Sequence, residues 1–259
     1  MPCNLKSPAQ INTPIGIDEQ RRFWNSWNTN YRSRSAELPE ISKRQALKVI
    51  EWIKGLGRID LDILEVGCGS GWLCQQLVPF GRVTGTDLSN EVLARAERDV
   101  ESVAFVAGDF FELEFPWCGF DVVVSLEVLA HVHEQSAFIS KIARLLRPGG
   151  YMMLATQNRF ALERCTEIPP KGVGQIRKWL DVHALRHLVN SHFDIIECTS
   201  IVPVGNRGLL RWINAPKVNR MLSAFASVQS INALKERLFM GHTLMVLSRK
   251  PTESRRADA

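Results

Sequence analysis

The chain has 259 residues, 45% of them apolar and 23% charged, and a formal net charge of +5. This is ordinary soluble-globular composition and excludes a disordered chain, a collagen and a coiled-coil rod. The length suits one large domain with additions, burying roughly 70–75% of the unfolded surface.

Residues 1–16 read as a polar, flexible arm without the apolar run of a signal peptide. No stretch approaches the ~18 uncharged apolar residues of a spanning helix. The six cysteines form no CxxC pair and have no histidine at zinc spacing. Reduced thiols and a cytoplasmic protein are expected, with no metal site.

Ile17–Arg32 reads as a helix with Phe23, Trp24, Trp27 and Tyr31 at helical spacing. That stripe suits core packing or a lid. Leu38–Gly55 is a second helix, with Ile41, Ala46, Val49, Ile50 and Ile53 on its apolar face, ended by Gly55 and Gly57. Strands then alternate with helices. Leu61–Val66 is a strand, Gly71–Phe80 a helix, Arg82–Thr86 a strand, Asn90–Val100 a helix and Val103–Ala107 a strand. Phe120–Ser125, with Val122-Val123-Val124 at its centre, has the continuous apolar run of a buried parallel strand. Glu134–Leu146 is a helix stopped by Pro148-Gly149-Gly150, and Tyr151–Ala155 is the next strand. Alternation of this kind argues an α/β, Rossmann-like open sheet, mostly parallel and flanked by helices.

The last third changes character. Asp181–Asn190 reads as a helix and Phe193–Val202 as a strand. Gly205–Met240 is a helical insertion, and Thr243–Ser248 is a last strand. That last strand is expected to run antiparallel, as an edge hairpin with Phe193–Val202. The expected organisation is an arm (1–16), N-terminal helices (17–57), a core (58–204 and 241–250), the insertion (205–240) and a tail (251–259). The insertion carries Arg207, Arg211, Lys217, Arg220, Lys235 and Arg237 against Glu236 alone. These charges suit a solvated helix face. With Leu209, Leu210, Trp212 and Ile213 they also suit an acceptor lid or contact with a membrane surface. Nucleic acid is disfavoured, because no binding module or run of stacking aromatics is present.

The chemistry concentrates in Leu64-Glu65-Val66-Gly67-Cys68-Gly69-Ser70-Gly71-Trp72. A strand runs into a glycine turn where a ligand can press against bare backbone, with the amides of a following helix facing it. Asp87, twenty residues after Gly67, ends the second strand and is placed to accept both hydroxyls of a ribose. Trp72 stands where GxGxxG has its third glycine, which disfavours a pyrophosphate site. Glu65 suits a ligand that carries an ammonium.

These residues resemble a class I S-adenosylmethionine-dependent methyltransferase, closest to the ubiquinone-biosynthesis-type branch. Leu64–Gly71 resembles the first motif and Asp87 the ribose-binding acid. Ala107-Gly108-Asp109-Phe110 resembles the stretch whose acid takes the adenine amino group. Ser125-Leu126-Glu127-Val128-Leu129-Ala130-His131-Val132 resembles the strand-4 motif, and Leu145–Gly150 the turn before strand 5. The resemblance implies S-adenosylmethionine as cofactor, S-adenosylhomocysteine as product and a seven-stranded sheet. It places Glu65, Gly67, Cys68, Gly69, Asp87, Leu88, Asp109, Phe110 and Leu126 around the cofactor, with Phe110 rather than Phe111 facing it. N-terminal helices would cover it.

The leading acceptor is a small hydroxylated metabolite. Strand 4 ends in Ser125-Leu126-Glu127, not in the [DN]-P-P-[FY] signature of amino-group methylation on adenine or glutamine. A base for such a hydroxyl is sought at His131 or His133, at the C-terminal end of strand 4. A cofactor-binding protein without turnover and a nicotinamide-dependent oxidoreductase are the competing readings.

Overall fold

The computed structural model describes residues 15–32, 38–215, 220 and 227–252. Helix α1 (Ile17–Trp27) runs into a π-helical turn (Asn28–Arg32), and α2 (Glu40–Gly55) follows. The core then alternates. β1 (Leu61–Val66), α3 (Cys74–Leu77), β2 (Gly81–Asp87), α4 (Asn90–Asp99), β3 (Val103–Ala107) and β4 (Phe120–Leu126) come first. Next are α5 (Gln135–Leu145), β5 (Leu146–Gln157), α6 (Arg159–Leu162), α7 (Val182–Asn190) and β6 (Asp194–Pro203). The chain closes with α8 (Gly208–Ile213), α9 (Val228–Arg237) and β7 (Gly241–Arg249).

Seven strands form one sheet in the order β3-β2-β1-β4-β5-β7-β6. The first five are parallel, and β7 pairs antiparallel with both β5 and β6. The expected α/β sheet and its terminal hairpin are therefore present. β4 is buried at every position, as a central strand covered on both faces must be. One apolar layer packs α2, α3 and α4 on the sheet, and the other packs α5 and α7. Local signals set the starts: Ser89 caps α4 through the Val92 amide, and Asp181 caps α7 through Ala184. Gly81 opens β2 where a Cβ would fall 2.0 Å from the Leu61 carbonyl oxygen.

Three expectations change. The helix after the glycine turn begins only at Cys74 and is followed by a single 3₁₀ turn, Val78–Phe80. Pro148-Gly149-Gly150 does not stop α5. The chain enters β5 at Leu146 and absorbs those residues in a register slip between the pairs Phe120–Leu146 and Val122–Tyr151. The aromatic stripe of α1 is not core, since α1 has no buried residue.

The insertion splits as well. Residues 216–219 and 221–226 lie outside the described residues. α9 packs on the sheet edge: the Ser200 hydroxyl donates to the Glu236 carbonyl, and Glu236 is ion-paired with Arg44 of α2. That part supports β6 and lies outside the glycine turn. No helix among the described residues is long and apolar enough to cross a membrane.

Candidate active site

The C-terminal ends of β1 and β2 meet at the glycine turn. Gly67, Gly69 and Gly71 all have positive φ, between 54° and 79°, a region other residues enter at a cost. Gly67 must also be bare, because its Cβ would fall 2.1 Å from Cγ2 of Val128. At Gly69 a Cβ would meet nothing within 4 Å, so the turn opens onto free space. Four amides of the turn are bonded within the protein. Those of Gly67 and Cys68 donate to the Thr86 carbonyl (2.7 and 3.0 Å), that of Gly71 to Cys68, and that of Gly69 to Asp87. The turn is held to β2 by those donors, and what it offers a ligand is an absence of side chains.

Asp87 closes the rim. Its two carboxylate oxygens accept from the Gly69 amide (2.9 Å) and the Ser89 amide (2.8 Å). Burial pushes its acidity toward higher pH against those two bonds. Glu65 lies beneath the turn, 2% exposed, and accepts the Cys74 thiol proton at 2.9 Å. Desolvation raises it to about 8, and Asp87 adds to the rise. The Cys68 side chain is buried too. With Cys74 it fills the hollow that a Cβ at Gly85 would occupy, so Cys68 offers a ligand only backbone.

Leu88 follows Asp87 and is half-buried, while Leu126 is buried at the end of β4. Asp109 starts a turn, its carboxylate accepting from the Phe111 amide at 3.0 Å. The adjacent rings part, one turning inward and the other outward. Phe110 packs into the core against Phe138 (centroids 5.2 Å apart) and is 8% exposed, whereas Phe111 is 37% exposed. Phe138 offers Phe110 an edge-on aromatic partner in the layer under α5, so it is Phe110 that buries.

A second cluster lies where β4 and β5 end and β7 begins. His131 donates from Nδ1 to the Ile176 carbonyl at 2.7 Å, and its Nε2 lies 3.5 Å from Nε2 of Gln157. Burial lowers its basicity. The Trp24 ring stands edge-on to the imidazole, centroids 4.8 Å apart. α1 is pinned at its other side by Asn25, whose amide oxygen accepts from Ser89 and whose amide nitrogen donates to Glu91. The helix therefore spans from the end of β2 to the segment after β4.

Glu127 belongs to the strand-4 motif, but the sequence does not single it out as a site residue. It sits in the left-handed region (φ 62°). Its Oε1 accepts from Gln45 of α2 (2.6 Å) and Thr243 of β7 (2.8 Å). Its Oε2 is buried without a partner, and desolvation raises the group to about 7. The one available signal is a carboxylate directly after the buried strand β4. Its partners, 82 and 116 residues away, leave no mark in the sequence.

The fold and the turn define a nucleoside-binding α/β domain, and comparison with known proteins narrows it. Residues 64–154 match the family model described as a methyltransferase domain. The ubiquinone biosynthesis O-methyltransferase of Hydrogenovibrio crunogenus is 31% identical over 185 residues, 64% of this chain and 76% of that protein. The enzyme of the same description from Rhodopseudomonas palustris is 32% identical over 151 residues, 53% of this chain and 60% of its own length. For several curated relatives the match spans only about 40 to 60% of their length. Among solved structures, the N-methyltransferase NodS from Bradyrhizobium japonicum, bound to S-adenosylhomocysteine, superposes with a TM-score of 0.62 at 14% identity. That match covers 90% of this chain and all of that one. The chain belongs to the class I S-adenosylmethionine-dependent methyltransferases. Its residues suit that family's methyl donor, since the open face at Gly69 leaves room for it and a carboxylate fixed by two amides stands at its edge.

Proposed function

We propose that this chain transfers the methyl group of S-adenosylmethionine to a hydroxyl of a small-molecule acceptor. The observation that carries the reading is the Asp87 carboxylate, fixed by two backbone amides at the rim of the side-chain-free turn. Its remaining lone pairs are left for paired hydroxyls such as those of a ribose. Similarity to proteins described as O-methyltransferases supports the hydroxyl.

In this reading Gly67, Cys68 and Gly69 present bare backbone to the donor. Leu88 and Leu126 wall its apolar parts, Asp109 takes the adenine amino group, and Glu65 stabilises the ammonium from below. When bound, S-adenosylmethionine supplies a methyl carbon made electrophilic by the adjoining sulfonium. The protein's work is alignment and the exclusion of water. α1 suits a cover for that purpose, because Asn25 and Trp24 hold it across the mouth of the sheet. His131 then serves the cover, with both ring nitrogens engaged and its face against Trp24.

Methyl-labelled S-adenosylmethionine incubated with catechol and 3,4-dihydroxybenzoate tests the reaction. The expected result is label in an ether product, suppressed by S-adenosylhomocysteine. Binding of S-adenosylhomocysteine without transfer to either probe would overturn the hydroxyl reading, and absence of binding would overturn the donor as well.

A further inference from the structure

Among the described residues, four buried side-chain atoms lack a hydrogen-bond partner: Glu127 Oε2, His133 Nε2, Thr156 Oγ1 and Gln157 Oε1. Two follow β4 and two end β5, at the mouth of the sheet beside the glycine turn. A buried polar atom without a partner costs about 1–3 kcal/mol, so such a group in a native fold asks for a ligand or a role. Glu127 and Gln157 belong to one surface. Thr243, which donates to Glu127, is the cross-strand partner of Gln157, and directly paired residues project to the same face.

The Glu127 turn also touches the donor side. Val128, the next residue, fills the space that Gly67 leaves bare. The non-glycine residue held at φ 62° is itself backbone strain kept in place by its surroundings. One carboxylate oxygen is fixed from two elements while the other is left unpaired, so the group is oriented and not simply stored.

Resting on the hydroxyl-methylation reading above, we propose that Glu127, rather than His131, binds the acceptor hydroxyl and takes its proton. The O–H bond of the acceptor breaks and the proton passes to Oε2. The oxygen pair so released forms the bond to the methyl carbon, and the pair of the broken carbon–sulfur bond stays on sulfur. A cation and a carboxylate are thereby replaced by neutral products. Gln157 Oε1, on the same surface, is left to accept from a second donor of the same molecule. His131 is a weaker candidate for base because its free lone pair faces the Gln157 amide and its ring packs on Trp24.

The titratable groups around Glu127 are His131, reached through Gln157, and His242, whose Nδ1 lies 3.1 Å from Thr243 Oγ1. Burial moves both imidazoles below the usual histidine range and moves Glu127 up to about 7. A base acts when deprotonated, so turnover should rise with pH through about 7.

The test uses the full chain, catechol as probe and Glu127→Gln, which keeps the oxygen that Gln45 and Thr243 hold. The expected result is a fall in kcat of at least roughly 100-fold with KM within a few-fold, loss of the pH limb near 7, and unchanged S-adenosylhomocysteine affinity. Glu127→Asp should restore part of the rate and the limb. Difference infrared titration of wild type against Glu127→Gln, without acceptor, should show one carboxyl titrating near neutrality. Transfer that persists in Glu127→Gln with its pH limb intact would overturn this inference alone. A wild type that shows no such carboxyl would also overturn it. A wild type that binds the product but methylates no probe would overturn the hydroxyl reading and this inference with it.

Discussion

The two halves of the mouth of the sheet are built differently. At the ends of β1 and β2 the buried polar groups are partnered: Asp87 by two amides, Glu65 by a thiol, the turn's amides by the neighbouring strand. At the ends of β4 and β5 lie all four unpartnered buried side-chain atoms among the described residues. The first half is a finished cradle whose ligand fits bare backbone. The second half is completed by what it binds. A cradle for an invariant cosubstrate is best preorganised, and a surface left unsatisfied selects for a polar acceptor by the cost of leaving it empty.

The largest expected effect breaks the finished half. Gly67→Ala places a Cβ 2.1 Å from Val128 and forces an L-residue to φ 79°. It should cost roughly 2–4 kcal/mol of stability and raise the Kd for S-adenosylhomocysteine at least about 100-fold, read by calorimetry. Combining it with Val128→Ala should recover stability only in part, since the backbone strain remains. Wild-type affinity in the single variant would show that the turn does not seat the ligand.

Next in size is the burden of Glu65. A carboxyl raised from its usual 4.5 to about 8 on folding binds more protons in the native state than in the unfolded one. Its contribution is therefore lost as pH climbs from about 4.5 through 8. Glu65→Gln, which still accepts from Cys74, should lose less stability than wild type over that window, by an amount on the order of 2–4 kcal/mol. Thermal melts at pH 5, 7 and 9 measure it. A ligand ammonium above Glu65 should reverse the shift, so binding at pH 7 should release protons, seen as a dependence of the binding enthalpy on buffer ionisation.

The smallest effect sharpens the seam between the halves. Trp24→Ala removes the edge-on contact with His131. Such contacts are worth about 0.5–1.5 kcal/mol, so S-adenosylhomocysteine should dissociate roughly 3- to 10-fold faster. An unchanged rate in stopped-flow fluorescence would mean that α1 does not cover the site.

This contrast explains what the sequence reveals. Gly67, Gly69 and Asp87 are legible because their geometry is set by a tight turn and the strand next to it. The strands are legible because the alternation of apolar runs with helices specifies a parallel sheet, and the hairpin of β6 and β7 follows from the return to a strand after the insertion. Glu127 is not legible as a site. Its value arises from Gln45 and Thr243, brought together by the packing of α2 and the register of β7, and from a positive φ that no residue type announces. The orientation of Phe110 and Phe111 is not legible for a related reason, since only the position of Phe138 decides which of two adjacent rings turns inward.

An adenosyl ligand is expected on the bare turn with its ribose on Asp87. Calorimetric titration of the full chain with S-adenosylhomocysteine, beside Asp87→Ala and beside NADH as competitor, tests it most directly. One site is expected in the wild type, with a loss of at least about tenfold in affinity in Asp87→Ala and no heat from NADH. Equal affinity in the variant, or NADH binding in place of S-adenosylhomocysteine, would contradict it.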